Sequence, residues 1–251
     1  MGIIISTVVV GIPRQDQDFE RTPDSPGTTV TQGIETMVDP LQARELSRSY
    51  GKFQALMPTD MTLHSGEIAV LFGANGAGKT TLLLCLSGLL RPTTGTITID
   101  GHDLYEDEKE AKRQLAFVPD VPRFYTELTA WEHLYFIAQA HQVGADFSKR
   151  AETLLREFGL WDARNLYPHH YSRGMRLKLG LLIALIRPFK VLLLDEPTSA
   201  LDIESVSFLL KRLKELRQSG ASILLSSHDP NIARDIADRT LKIQNGYVGD
   251  I

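Results

Sequence analysis

Eight consecutive residues, Gly73-Ala74-Asn75-Gly76-Ala77-Gly78-Lys79-Thr80, fit the pattern G-x-x-x-x-G-K-[ST], and Thr81 follows them. Glycines at these places let the backbone curl until successive N–H groups face one point. A helix start behind the loop adds its dipole, and the combination holds phosphate. Lys79 then reaches the β- and γ-phosphates of a nucleotide, and the Thr80 hydroxyl ligates Mg²⁺. A second chemical element lies downstream, where the apolar run Val191–Leu194 delivers Asp195 and Glu196. In α/β sheets ligands gather at the C-terminal ends of strands. That assigns Asp195 to the cation and Glu196 to the attacking water of a phosphoryl transfer. Taken alone, Glu196 also reads as a solvated loop acid; the Gly-rich loop is what gives the acidic pair its meaning.

Those residues need elements to hold them. Glu67–Phe72 is a short apolar run entering the Gly-rich loop, a helix over Lys79–Leu90 leaves it, and the β-branched stretch Thr96–Asp100 predicts another strand. The middle, Leu104 to about Asn165, reads as mostly helical, an inserted subdomain. Within it Trp131–Val143 and Lys149–Phe158 carry apolar residues at helical spacing. Alternation then returns as helix Met175–Ile186, strand Val191–Leu194, helix Ser205–Arg217 and strand Ser222–Ser226. Continuous aliphatic strands of this kind are buried on both faces, which predicts an α/β fold with a parallel sheet between helices. Ahead of them, Arg14–Asp39 has almost no apolar periodicity and predicts a disordered or loosely attached leader, with Met37 as the expected true start.

Read together and in order, Tyr50, Gly73–Thr81, Tyr171-Ser172-Arg173-Gly174-Met175, Asp195-Glu196-Pro197, Ser199-Ala200-Leu201-Asp202 and His228 resemble the nucleotide-binding subunit of ATP-binding cassette (ABC) transporters. The likeness covers nearly all of residues 41–251. It implies an α/β P-loop NTPase fold: a mostly parallel sheet core, a small N-terminal antiparallel β subdomain and an inserted α-helical subdomain at about residues 121–187. The ATPase domain would span 38–251 behind a leader at 1–37. ATP and Mg²⁺ are the implied cofactors, with Tyr50 stacking on adenine and Gly73, Ala74, Asn75, Gly76, Ala77, Gly78, Lys79, Thr80 and Thr81 around the phosphates. Ser172 and Gly174 would contact the γ-phosphate held by a second cassette. Glu196 and His228 would be catalytic, His228 holding the γ-phosphate and attacking water in line. From the residues alone, Tyr50 reads nearly as well as a core tyrosine, Ser172 as a plain N-cap, and His228 as a polar strand end.

Three positions depart from the family pattern. Arg173 stands where the family has Gly, Met175 where it has Gln, and Asp120, in Phe117-Val118-Pro119-Asp120, where it usually has Gln. An ionised Asp is acceptor-only, so Asp120 keeps the ability to bind Mg²⁺ beside Thr80 and Asp195 but adds negative charge near the γ-phosphate. The resemblance also implies a separate transmembrane permease subunit, a second ATP-binding subunit, and a place at the cytoplasmic face of the cell membrane. The insertion and the loop Asp120–Thr129 would meet the permease, with Trp131, Tyr135 and Phe136 as surface or core residues. The Tyr-Ser-Arg-Gly-Met segment with an acid at position 120 resembles exporters more than importers.

Composition narrows the alternatives. With 27 Lys+Arg against 31 Asp+Glu the chain lacks the basic surplus of a nucleic-acid binder, and no nucleic-acid partner is expected. A single cysteine, Cys85, excludes an intrachain disulfide and a cysteine zinc cluster. The apolar runs Ile3–Ile12 and Leu179–Ile186 fall short of the roughly 20 residues that cross a bilayer, so membrane work requires an anchoring partner. A competing class is a soluble ABC ATPase acting as a clamp in DNA maintenance or translation; such relatives carry coiled-coil arms or two cassettes per chain. A P-loop kinase or GTPase would lack the Ser172 segment and the Ser199–Asp202 turn.

Overall fold

A computed structural model of the chain describes residues 39–250; the leader and the Met37 start lie outside the described residues. Strand β1 (Leu41–Tyr50) turns at Gly51-Lys52 into β2 (Phe53–Leu63), its antiparallel partner. After β3 (Ile68–Phe72) the Gly-rich loop leads into helix α1 (Lys79–Leu86). Strands β4 (Thr94–Ile99) and β5 (His102–Asp103) then complete a four-stranded antiparallel sheet in the order β2-β1-β4-β5.

A larger sheet contains the site. Helix α2 (Glu108–Gln114) leads to β6 (Leu115–Val118), and α3 (Ala130–Ala140), α4 (Phe147–Glu157) and α5 (Arg173–Leu185) fill the chain between β6 and β7 (Val191–Leu194). Helix α6 (Ile203–Gln218), β8 (Ser222–Ser227), α7 (Pro230–Ile236), β9 (Arg239–Gln244) and β10 (Tyr247–Asp250) follow. The six strands run β10-β9-β3-β8-β7-β6, parallel throughout except for the β9–β10 hairpin.

Alternation along these strands divides the interior in two. Ile68 and Val70 of β3, Leu192 and Leu194 of β7, and Ile223 and Leu225 of β8 join the helices α3–α6 in one core. Their neighbours Ala69, Leu71, Val191, Leu193 and Leu224 face the other way, onto α1 and the antiparallel sheet through Leu46, Leu56 and Ile97. A strand buried on both faces has no polar side to display, which is why the sequence shows unbroken aliphatic runs rather than alternation.

Two expectations from sequence are corrected. Leu115–Val118 belongs to the stretch read as mostly helical, yet it is an edge strand of the large sheet, paired parallel with Val191–Leu194 and buried at all four positions. The helix expected over Lys79–Leu90 stops at Leu86, because Gly88 takes a left-handed conformation (φ 72°) that turns the chain.

Candidate functional site

Parallel pairing brings four strand ends to one edge. Phe72 is level with Ser227, Leu225 with Leu194, and Leu194 with Val118. The segments that leave these strands, carrying the Gly-rich loop, His228, Asp195-Glu196 and Asp120, are therefore neighbours despite their distance in sequence.

There a cleft of about 330 Å³ is lined by Ala74, Asn75, Gly76, Gly78, Lys79, Thr80 and Thr81 of the loop and α1, together with Asp120, Asp195 and Glu196. Tyr50, Phe53 and Ala55 from the β1–β2 hairpin close one side. Tyr50 is 46% exposed, so it is not a core residue, and the Arg48 guanidinium carbon lies 4.7 Å from its ring centroid. Phe53 is 65% exposed and was not singled out by sequence reasoning; the clue was an aromatic residue on each side of the Gly51-Lys52 turn. Two solvent-facing rings at the mouth of a cleft that carries the Gly-rich loop suit a flat base.

Asp195 is the most constrained acid in the cleft. It is 2% exposed, its Oδ2 accepts from the Thr80 hydroxyl at 2.8 Å, and its Oδ1 accepts from the Ser226 hydroxyl at 2.7 Å. Burial raises its pKa, the Ser226 and Thr80 hydroxyls pull it back, and the charges of Glu196 and Asp120 raise it further. Ser226 also accepts from the Glu196 backbone N–H at 2.9 Å, so one hydroxyl fixes both acids. Sequence reasoning missed Ser226; its signal was its place two residues before His228 on the same strand end.

Glu196 has φ 47°, a left-handed conformation that costs a non-glycine residue energy. Its Oε2 lies 2.9 Å from His228 Nδ1 and its Oε1 lies 3.5 Å from Lys79 Nζ. Lys79 Nζ also donates to the Gly73 carbonyl at 2.7 Å. Glu196 thus sits between the residue expected to meet phosphate and the residue expected to orient the water.

The Thr80 hydroxyl and Asp195 carboxylate form an all-oxygen pair of the type a hard cation prefers. Among the described residues no group of three or more His, Cys, Asp or Glu is placed to hold a metal alone. Such a pair fits Mg²⁺, which keeps water and phosphate oxygens among its ligands.

Of the residues expected at the nucleotide, Gly73, Ala77, His228, Ser172 and Gly174 are not among the described residues that line this cleft. Ser172 caps α5 by accepting from the Met175 N–H at 3.2 Å, and a Cβ at Gly174 would stand 2.5 Å from the Ala200 carbonyl oxygen. The Ser172 segment is thereby pressed against the turn after Glu196, with Ser172 itself exposed to solvent. Trp131 packs edge-on to Phe147 and Trp161, whereas Tyr135 and Phe136 are exposed.

Residues 56–199 match the family model for ABC transporter. The ABC-type transporter ATP-binding protein EcsA of Bacillus subtilis is 32% identical over 83% of this chain and 85% of its own length. The SkfA peptide export ATP-binding protein SkfE of the same organism is 34% identical over 82% of this chain and 86% of its own. A methionine import ATP-binding protein, MetN of Brucella abortus, is 32% identical over 84% of this chain and 58% of its own length. A solved ATP-binding subunit of an ABC transporter superposes with TM-score 0.79 at 34% identity, covering 84% of this chain and 90% of that one. A dimeric post-hydrolysis ATP-binding cassette, MJ0796 with ADP and Pi, superposes with TM-score 0.73 at 25% identity, covering 84% and 98%. With a P-loop cleft at one sheet edge and its sequence aligned over most of the length of such relatives, the chain belongs to the ABC transporter family, as an ATP-binding subunit.

Proposed function

We propose that the chain hydrolyses ATP in a cleft closed by a second ATP-binding subunit, and so powers export through a separate membrane-spanning permease at the cytoplasmic face of the membrane. One observation carries this: the phosphate loop, Asp195 and Glu196 line one cleft, and His228 joins them through its 2.9 Å bond to Glu196. The α5 start at Ser172 is exposed to solvent, and a helix start suits an anion, which in this reading is the γ-phosphate held by the second subunit.

In this reading Tyr50 and Phe53 take the adenine, and residues 73–81 wrap the phosphates. Lys79 trades its bond to the Gly73 carbonyl for the triphosphate. Thr80 and Asp195 would hold Mg²⁺, which supplies charge neutralisation when bound. Glu196 accepts the proton of the attacking water, and His228, already bonded to Glu196, steadies the water and γ-phosphate in line. Residues 38–251 act as one ATPase domain, and the helical part at about 121–187 meets the permease through surface that includes Tyr135 and Phe136. No helix of the described residues is long and apolar enough to cross a membrane, in keeping with a peripheral subunit. The Tyr-Ser-Arg-Gly-Met segment and the likeness to SkfE favour export, although relatives named for import align over as much of the chain.

The test is Glu196→Gln. It should bind Mg-ATP as tightly as the parent in equilibrium dialysis and hydrolyse it at least about a hundredfold more slowly. Parental turnover would remove Glu196 from the chemistry, and loss of nucleotide retention in the parent would remove the function.

A further inference from the structure

Two of the departures from the family pattern touch each other. Arg173 Nη2 donates to Asp120 Oδ1 at 2.9 Å and Oδ2 at 3.2 Å. The Ser199 hydroxyl donates to the same Oδ1 at 2.7 Å, and Arg173 Nη2 lies 3.4 Å from Ser199 Oγ. Three segments far apart in sequence, the loop after β6, the start of α5 and the turn after β7, thus meet in one triangle. Neighbouring contacts keep them together. Lys178 of α5 bonds Asp202 at 2.7 Å, and a Cβ at Gly180 would stand 2.7 Å from Pro122 Cγ.

Local physics gives no reason for an arginine here. It is the first residue of α5, where the helix dipole disfavours a cation, and the first turn has no acidic residue to offset it. Nor is folding a sufficient reason, since the side chains are 56% and 34% exposed and such ion pairs contribute little to stability. The cleft supplies one. Asp120 lines it together with Asp195 and Glu196, and a triphosphate entering there meets three acids.

We propose that Arg173 is a positioning residue for the nucleotide site of its own chain: by pairing with Asp120 it fixes that carboxylate against Ser199 and offsets its charge toward the triphosphate. An ion pair thereby stands where the family has a neutral Gln and a Gly. This rests on the nucleotide-site reading above. Because Arg173 follows Ser172, the same contact joins the chain's own cleft to the helix start offered to the second subunit.

The experiment is a double-mutant cycle on the full chain, reading the Kd for Mg-ATP by titration calorimetry at low and high salt. Arg173→Gly should weaken binding about fivefold at low salt, with a smaller loss at high salt. Arg173→Lys should recover most of the affinity, and Asp120→Gln with Arg173→Gly should recover it to within about twofold. A merely structural Arg173 would lower thermal stability without this rescue. If Arg173→Gly does not fold, Arg173→Gln takes its place, with the same loss and the same rescue by Asp120→Gln expected. Single-mutant effects that multiply in the double variant, or parental affinity in Arg173→Gly, would overturn the pairing while the nucleotide site stands. Absence of Mg-ATP binding in the parent would overturn both.

Discussion

Asp195 illustrates how one side chain can be costly to the fold and necessary to the site. Burial raises its pKa, so its ionised form costs stability at neutral pH, and protonation relieves that cost as pH falls. Cation binding has the opposite sense, because only the carboxylate binds, so affinity falls as acid protonates the group. Ser226 holds it toward the charged form through Oδ1. Ser226→Ala should lower stability by about 1–3 kcal/mol, since it removes a bond to a charged group and orphans the Glu196 N–H. It should also move the loss of Mg-ATP affinity to higher pH. Binding titrations at several pH values check this, and an unmoved profile would mean Ser226 does not support the carboxylate. Only the family resemblance singled out His228, which alone reads as a polar strand end; the Gly-rich loop, Asp195 and Glu196 were legible in the sequence because their chemistry is written contiguously or at a strand end. Ser226 and Phe53 were not, because a serine in an apolar strand and an aromatic beside a turn acquire meaning only when another strand or loop is brought beside them.

Among the elements, long periodic helices and aliphatic strands were read to within a few residues, and one error fell on a four-residue strand. Leu115–Val118 follows directly on α2, and four apolar residues carry no period of their own; only the partner Val191–Leu194 decides their conformation. Helix α3 shows what fixes an element once formed. Thr129 and Glu132 make a reciprocal cap, and His133 is saturated by two bonds. Its Nδ1 donates to the Thr129 carbonyl at 2.8 Å, and its Nε2 accepts from the Tyr125 N–H at 3.1 Å. Accepting at Nε2 requires a neutral ring, and burial lowers its pKa. His141, at the end of the same helix, is lowered to about 3 by burial and by Arg187 and Arg113. For a lowered histidine pKa the stabilising contribution is complete above the ordinary value of 6.5 and is lost as pH falls below it. The protein should therefore be less stable to urea at pH near 5 than near 7. His133→Ala should flatten part of that slope while lowering stability at neutral pH by about 2 kcal/mol. An unchanged slope would remove His133 from the acid response.

At the scale of the whole molecule, the large sheet divides the interior so that one core carries the phosphate loop and the other carries α5 and the Ser172 segment. On the proposed function a single chain would carry both halves of a nucleotide site, and two chains related by a two-fold axis would complete two sites at once. That arrangement makes a prediction no single-chain site can meet. Lys79→Ala should disable the cradle yet leave a working Ser172 segment, and Ser172→Glu should do the reverse by setting a negative charge against the partner's γ-phosphate. Each variant alone should hydrolyse almost no ATP. In an equal mixture half of the dimers are mixed, and each has one intact cradle facing one intact segment, so ATPase should return to at most about a quarter of the parental rate. Nucleotide binding to Ser172→Glu alone should persist, since its own cleft is untouched. A mixture as inactive as its components, with both variants folded, would place the complete site within one chain and end the dimeric reading.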